Sequence, residues 1–180
     1  MTRLSAPEHL SEAQQRIHDT IASGPRGEVP APLGLWLHRP ELAKHAQALG
    51  RYCRYDTLLE PRLSELAILV TAKCWRSEYE WAVHKPCALQ AGLDEAIIEA
   101  VRKGEPPPFE HDDEAAVFEF AQTLHTEGHI GDSLYREAVS QLGEEAVVDL
   151  TGLLGYYTLI SMTINVFEVP LPADRVPELV

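Results

Sequence analysis

The chain has 180 residues, 45% hydrophobic and 24% charged, which is the composition of one globular domain rather than of a disordered or fibrous chain. A chain of this length buries roughly 70% of its unfolded surface and needs no disulfide or metal staple. Twenty-eight Asp+Glu against 15 Lys+Arg leave a formal net charge of -13, which repels phosphate backbones and anionic lipid and argues against nucleic acid or a membrane surface as partner.

Further limits follow from particular residues. An anionic substrate would need a locally basic pocket. Cys53, Cys74 and Cys87 cannot all pair, and none stands in a Cys-x-x-Cys. Met1–Leu10 carries no apolar run of the kind a signal peptide needs, so the expectation is a single cytoplasmic domain over 1–180. Leu150–Phe167 runs eighteen residues without a charge, the lower limit for a membrane span. Acidic flanks and interspersed Gly, Ser, Thr and Asn make it instead a core helix or a subunit contact.

Helical signals follow one another along the chain. Alanine and leucine together far outnumber valine and isoleucine. Ser11 with Gln14 reads as a capping box opening a helix to about Ala22. The Pro/Gly stretch from Gly24 to Gly34 reads as an irregular connection. Pro40 suits a helix start, followed by Leu42, Ala46, Leu49 and Cys53 at helical spacing. Pro61 opens the next helix, and Ser77 another, which Gly92 stops. A short helix from Asp94 ends at Gly104. Two more, near Asp112–Thr126 and Ser133–Leu142, lead to a long apolar helix beginning near Glu144. After Pro170 the tail reads as an extended arm. The expectation is an all-α domain of about eight helices.

The densest set of reactive side chains is Ser77-Glu78-Tyr79-Glu80-Trp81-Ala82-Val83-His84. On a helix, Ser77, Glu80, Trp81 and His84 share one stripe, and Glu80 at i,i+4 from His84 could orient an imidazole for acid–base work near neutral pH. The same residues have a structural reading: Ser77 and Glu80 form an S-x-x-E capping box, and His84 is a packed histidine. Glu65 is a second candidate. It either pairs with Arg62 at i,i+3 or turns inward, where desolvation would make it a proton carrier, and spacing leaves both open. Glu80, His84 and Cys87 match no common metal-ligand spacing, and motifs for acyl hydrolysis, nucleotide or dinucleotide use are absent.

The segment Arg62-Leu63-Ser64-Glu65-Leu66-Ala67-Ile68-Leu69, then Tyr79-Glu80-Trp81 with His84, Ala88 and Ala91-Gly92-Leu93, resembles the carboxymuconolactone decarboxylase family and its alkylhydroperoxidase D relatives. Phe118–Leu124, Gly155-Tyr156-Tyr157 and Asn165 resemble the family's later helices. Trp36-x-His38-x-Pro40-Glu41-Leu42 is similar to an extension found in the decarboxylase-like branch. The resemblance spans roughly 33–170, leaving an N-terminal helical extension over 1–32 and an arm over 171–180. It implies an alkylhydroperoxidase D-like helical domain that assembles as a homo-oligomer, a trimer or hexamer, with sites in helical pockets. The peroxidase branch carries Cys-x-x-Cys-x-x-x-His, and here Ser77 and Glu80 occupy the cysteine positions while His84 remains. Paired-thiol chemistry lacks its sulfurs.

What the resemblance then implies is a lyase of aromatic compound catabolism, acting without metal or cofactor on a small unsaturated lactone carboxylic acid. Carbon dioxide leaves, the substrate's own carbonyl takes up the electron pair, and the enzyme supplies one proton. The assigned roles are His84 as proton donor, Glu80 orienting it, Glu65 as a second buried carboxyl, Trp81 and Trp36 as pocket walls, and Arg54 holding a substrate carboxylate with His38 as a weaker candidate. A peroxidase-related antioxidant protein and a non-catalytic oligomeric module binding small molecules are the alternatives.

Overall fold

The computed structural model describes residues 2–179, so Met1 and Val180, at the tips of the N-terminal segment and of the arm, lie outside the described residues. Among these residues there are nine α-helices and no strand, in the order α1 (Glu12–Ala22), α2 (Ala31–Trp36), α3 (Pro40–Arg51), a π-helical segment (Tyr52–Asp56), α4 (Pro61–Trp75), α5 (Glu78–Gln90), α6 (Glu95–Lys103), α7 (Asp112–Glu127), α8 (Asp132–Leu142) and α9 (Glu144–Phe167). The all-α expectation holds. The stretch read as irregular is shorter than expected: α2 begins inside it, because Pro30 leads into a helix that accepts Pro32 in its first turn.

α4 is the axis of the molecule. It packs on α5, α6, α7 and α9, and every residue from Leu63 to Ala72 is buried. A helix surrounded on all sides needs apolar residues all round, which Leu63, Leu66, Ala67, Ile68, Leu69 and Val70 supply. Burying these side chains contributes on the order of 1.5–3 kcal/mol for each of the larger ones. α4 ends at Arg76, whose φ of 50° puts it in the left-handed region, and Arg76 and Ser77 alone connect it to α5. That tight reversal lays α5 back against α4 and brings their side chains face to face.

α9 closes the other side. It is long and apolar enough to cross a membrane by length and composition, yet 61% of its most apolar window is buried against the rest of the chain. Its inner face carries Leu150, Leu153, Leu154, Tyr156, Tyr157 and Ile160, and Tyr156 lies against Gly50 of α3 so closely that a Cβ there would fall 2.0 Å from the phenol oxygen. The outer face leaves Val148, Met162 and Val166 exposed.

The arm turns at Ala173 and Asp174, where the Arg175 N–H donates to the Pro172 carbonyl at 3.2 Å, and its far end is docked. The Glu78 carboxylate at the start of α5 accepts hydrogen bonds from the backbone N–H groups of Glu178 and Leu179, both at 2.8 Å, and Leu179 is buried.

Candidate active site

His84 sits on the α5 face turned toward α4 and α9, and is 2% exposed. Its Nδ1 lies 2.7 Å from Glu65 Oε2 on α4, and its Nε2 lies 3.4 Å from Glu80 Oε2 one turn back on α5. Both carboxylates are buried. The Tyr157 ring of α9 stands edge-on to the imidazole, 5.1 Å between centroids and 89° between planes. Burial by itself opposes a charge on His84, but the charge of Glu65 and the hydrogen bonds the ring donates to both carboxylates outweigh it, and the imidazole is pushed up to about 9. At neutral pH it is therefore an imidazolium with two N–H donors.

The alternatives left open by spacing are resolved here. Glu65 turns inward to His84, while Arg62, one turn earlier, pairs with Glu60, Asp113 and Glu114. The helix is buried all round, so each polar side chain goes to the partner that its neighbour helix offers. The capping box expected at Ser77 is absent: Ser77 makes no side-chain cap bond, and its Oγ is buried without a partner. Glu80 reaches the imidazole as well, and Glu65 joins it from α4. The shorter contact is with Glu65, which fixes the ring, and the longer Glu80 contact leaves the Nε2 proton more loosely held.

His84 and Glu80 open onto a cavity of about 360 Å³. Arg54 lines it. It stands on the π-helical segment, which α9 pins through Asp149: the Tyr52 O–H donates to Oδ1 at 2.6 Å and the Leu58 N–H to Oδ2 at 2.8 Å. π-Helical turns concentrate at functional sites because the extra residue re-aims a side chain. Here it lets Cys53 face the core while Arg54 reaches toward the chamber.

Three expected pocket residues lie elsewhere. Trp81 is fully buried on another face of α5, where its Nε1–H faces Glu178 at 3.4 Å. Trp36 donates from Nε1 to Thr163 Oγ1 at 3.1 Å inside the core and touches the chamber only indirectly, edge-on to Tyr156 at 6.4 Å. His38 is exposed and hydrogen-bonded to the Ser5 carbonyl at 2.8 Å. Their spacing fits an inward face, but several buried faces exist and spacing does not choose among them. The aromatic walls are instead tyrosines: Tyr55, Tyr79, Tyr156 and Tyr157. Burial, with Glu80 next in effect, raises the Tyr157 phenol well above its ordinary range, so it stays a neutral hydroxyl. Tyr156 and Tyr157 were legible only as part of the family resemblance, and Arg26, which also lines the chamber, carried no sequence signal beyond its Pro/Gly surroundings.

Glu65 also borders a second, more open cleft of about 420 Å³ shared with Glu60, Arg62 and Cys87. The Cys87 thiol is half-buried and 3.6 Å from Arg54 Nη2. Burial first, then Glu65, raises it despite that guanidinium, and Cys74 is raised by burial as well. All three cysteines are free. Among the described residues, no group of three or more His, Cys, Asp or Glu side chains is placed to hold a metal ion.

No protein-family model matches the chain, and no curated protein matches it in sequence. Solved structures do match its fold. A cysteine-to-alanine variant of the debrominase Bmp8 in complex with 2,3,4-tribromopyrrole superposes with a TM-score of 0.75 at 16% identity, covering 96% of this chain and 94% of that one. An uncharacterised peroxidase-related protein from Silicibacter sp. TM1040 gives 0.77 at 15% identity, covering 96% and 93%. A protein of unknown function from Agrobacterium tumefaciens, named as a candidate antioxidant defence protein AhpD, gives 0.69 at 18%, covering 77% and 96%. At these identities the likeness concerns the fold: the chain has the all-helical fold shared by AhpD-like and peroxidase-related proteins and by the debrominase Bmp8.

Proposed function

We propose that this protein is a cofactor-independent acid–base enzyme of the carboxymuconolactone decarboxylase type, acting on a small unsaturated lactone carboxylic acid. One observation carries the reading: an imidazole held between two buried carboxylates opens onto a chamber that also presents a guanidinium. Arg54 would hold the substrate carboxylate that stays in place. The bond to the departing carboxylate breaks, carbon dioxide leaves, and the electron pair passes through the double bond onto the lactone carbonyl oxygen. His84 then gives its Nε2 proton to the carbon chain, Glu65 holds the neutral ring, and the proton is replaced from solvent.

Thiol chemistry, the alternative that a peroxidase-related antioxidant protein would use, is the less supported reading. Ser77 and Glu80 stand where paired sulfurs would be needed, and the Cys87 thiol is shifted away from the thiolate. The proposal includes assembly as a homo-oligomer in the cytoplasm, for which the exposed Val148, Met162 and Val166 of α9 offer an apolar contact face.

The test is turnover and carbon dioxide release with a panel of unsaturated lactone acids, on wild type and His84→Ala. The expected loss is about 10²- to 10⁴-fold, the reach of one acid–base group. An accepted substrate turned over equally well by His84→Ala would sink the reading. Turnover of an alkyl hydroperoxide that vanishes in Cys87→Ser would replace it with the thiol reading.

A further inference from the structure

The arm over 171–180 takes no part in the chamber, yet its far end is met by a full set of partners. The Glu178 and Leu179 N–H groups both donate to the Glu78 carboxylate at 2.8 Å, and the Glu178 carbonyl accepts from Arg102 Nη1 at 3.3 Å. The Glu178 carboxylate accepts from Lys85 Nζ at 2.6 Å and faces the fully buried Trp81 at Nε1, 3.4 Å away. Leu179 enters the hydrophobic core. Behind the two cations stands Glu99, 3.1 Å from Lys85 and 2.8 Å from Arg102, so the groove between α5 and α6 is braced from its own side.

The stretch before this end is different. Residues 173–177 are all exposed, and the Arg175 N–H bonds to Pro172 within the arm itself. A two-residue anchor on an exposed tether has the form of a ligand attached to its receptor. Peptide recognition takes affinity from main-chain hydrogen bonds and sequence choice from side-chain sites. Both are built here: Glu78 answers two successive main-chain N–H groups, Lys85 with Trp81 answers an acidic side chain, and the opening into the core answers the apolar side chain that follows it.

We propose that the groove between α5 and α6 is a recognition site for an extended peptide carrying a Glu-Leu pair, and that the chain's own arm occupies it as a detachable ligand. The site is independent of the acid–base reading, since Glu78, Trp81, Lys85, Glu99 and Arg102 do not line the chamber.

The test uses the full-length chain carrying Glu178→Lys and Leu179→Asp, which sets a cation against Lys85 and a charge against the core opening, and so empties the groove. A fluorescently labelled peptide of residues 173–180 should bind this variant, by anisotropy, and should bind wild type about 10-fold more weakly, because the tethered arm competes at an effective concentration of about millimolar. The same peptide with Glu178→Gln should bind the variant about 10-fold more weakly, the usual reach of a charge-assisted hydrogen bond, and adding Lys85→Met to the variant should erase the difference between the two peptides. Equal binding of the peptide to wild type and variant, equal binding of its two forms to the variant, or no binding to the variant would each overturn the proposal. Wild type supplies a check that does not depend on the variant folding: amide hydrogen exchange should be about 10-fold slower or more at Glu178 and Leu179 than at Val176. Exchange equally fast at all three would also overturn the proposal.

Discussion

Two helices of this protein open with a serine followed three places later by Gln or Glu, and the two starts fold differently. At α1, Ser11 has ψ 164°, its Oγ accepts the Gln14 N–H at 3.4 Å, and the Gln14 side chain accepts the Ser11 N–H at 2.8 Å. At α5, Ser77 has ψ 86°, its Oγ has no partner in the interior, and Glu80 turns to His84. The two-residue connection through the left-handed Arg76 sets that backbone. The comparison shows that a capping signature only lists available partners. An exposed start closes on itself, whereas a buried start next to an imidazolium sends its carboxylate there, because the charge-assisted contact is the stronger one. α5 thereby gives up a cap worth about 1 kcal/mol and retains an unsatisfied hydroxyl, the kind of local cost that accompanies functional sites.

The largest effect separating the two starts should lie in turnover. Glu65→Gln replaces the short contact to Nδ1 and should lower kcat by about 10²-fold or more, whereas Glu80→Gln should cost less, about 10-fold, since its contact is long. Steady-state kinetics on the substrate found above gives the order. The reverse order would make Glu80 the orienting group after all.

A pH effect comes next in size. The folded-state value of His84 is raised from 6.5 to about 9, so its ion pairs stabilise the fold fully below about 6.5 and are lost as pH climbs through about 9. The melting temperature of wild type should fall across that window more steeply than that of His84→Gln. Parallel profiles for the two proteins would show that His84 is not charged in the folded state.

Most of the fold was legible because its punctuation is chemical. Pro40 and Pro61 open α3 and α4, Gly104 closes α6 in the left-handed region, and Ser11 caps α1. The site was legible where it depends on one helix, as with Glu80 and His84 at i,i+4. It was ambiguous where it depends on what another helix presents. Glu65 lies in a helix buried all round, so its periodicity marks no preferred face. Trp81 and Trp36 are inside, as their apolar character demands, but in layers away from the chamber. The π-helical segment has no sequence signature that separates it from a continuing α-helix, so nothing in Tyr52–Asp56 announced how Arg54 would be aimed.

The smallest effect is the sharpest test of the comparison. Ser11→Ala removes a cap with both of its hydrogen bonds and should cost about 1 kcal/mol. Ser77→Ala removes a hydroxyl that bonds nothing and is shut off from water, and alanine neither leaves a polar atom unsatisfied nor disfavours the helix. Its expected effect is zero to about 0.5 kcal/mol in the stabilising direction. Denaturant unfolding of the two variants beside wild type measures the difference, with an unchanged m-value confirming that the same transition is followed. A cost at Ser77 equal to that at Ser11 would mean that its hydroxyl does have a partner in solution. The start of α5 would then be capped like that of α1, and the turning of Glu80 toward His84 would have cost the helix nothing.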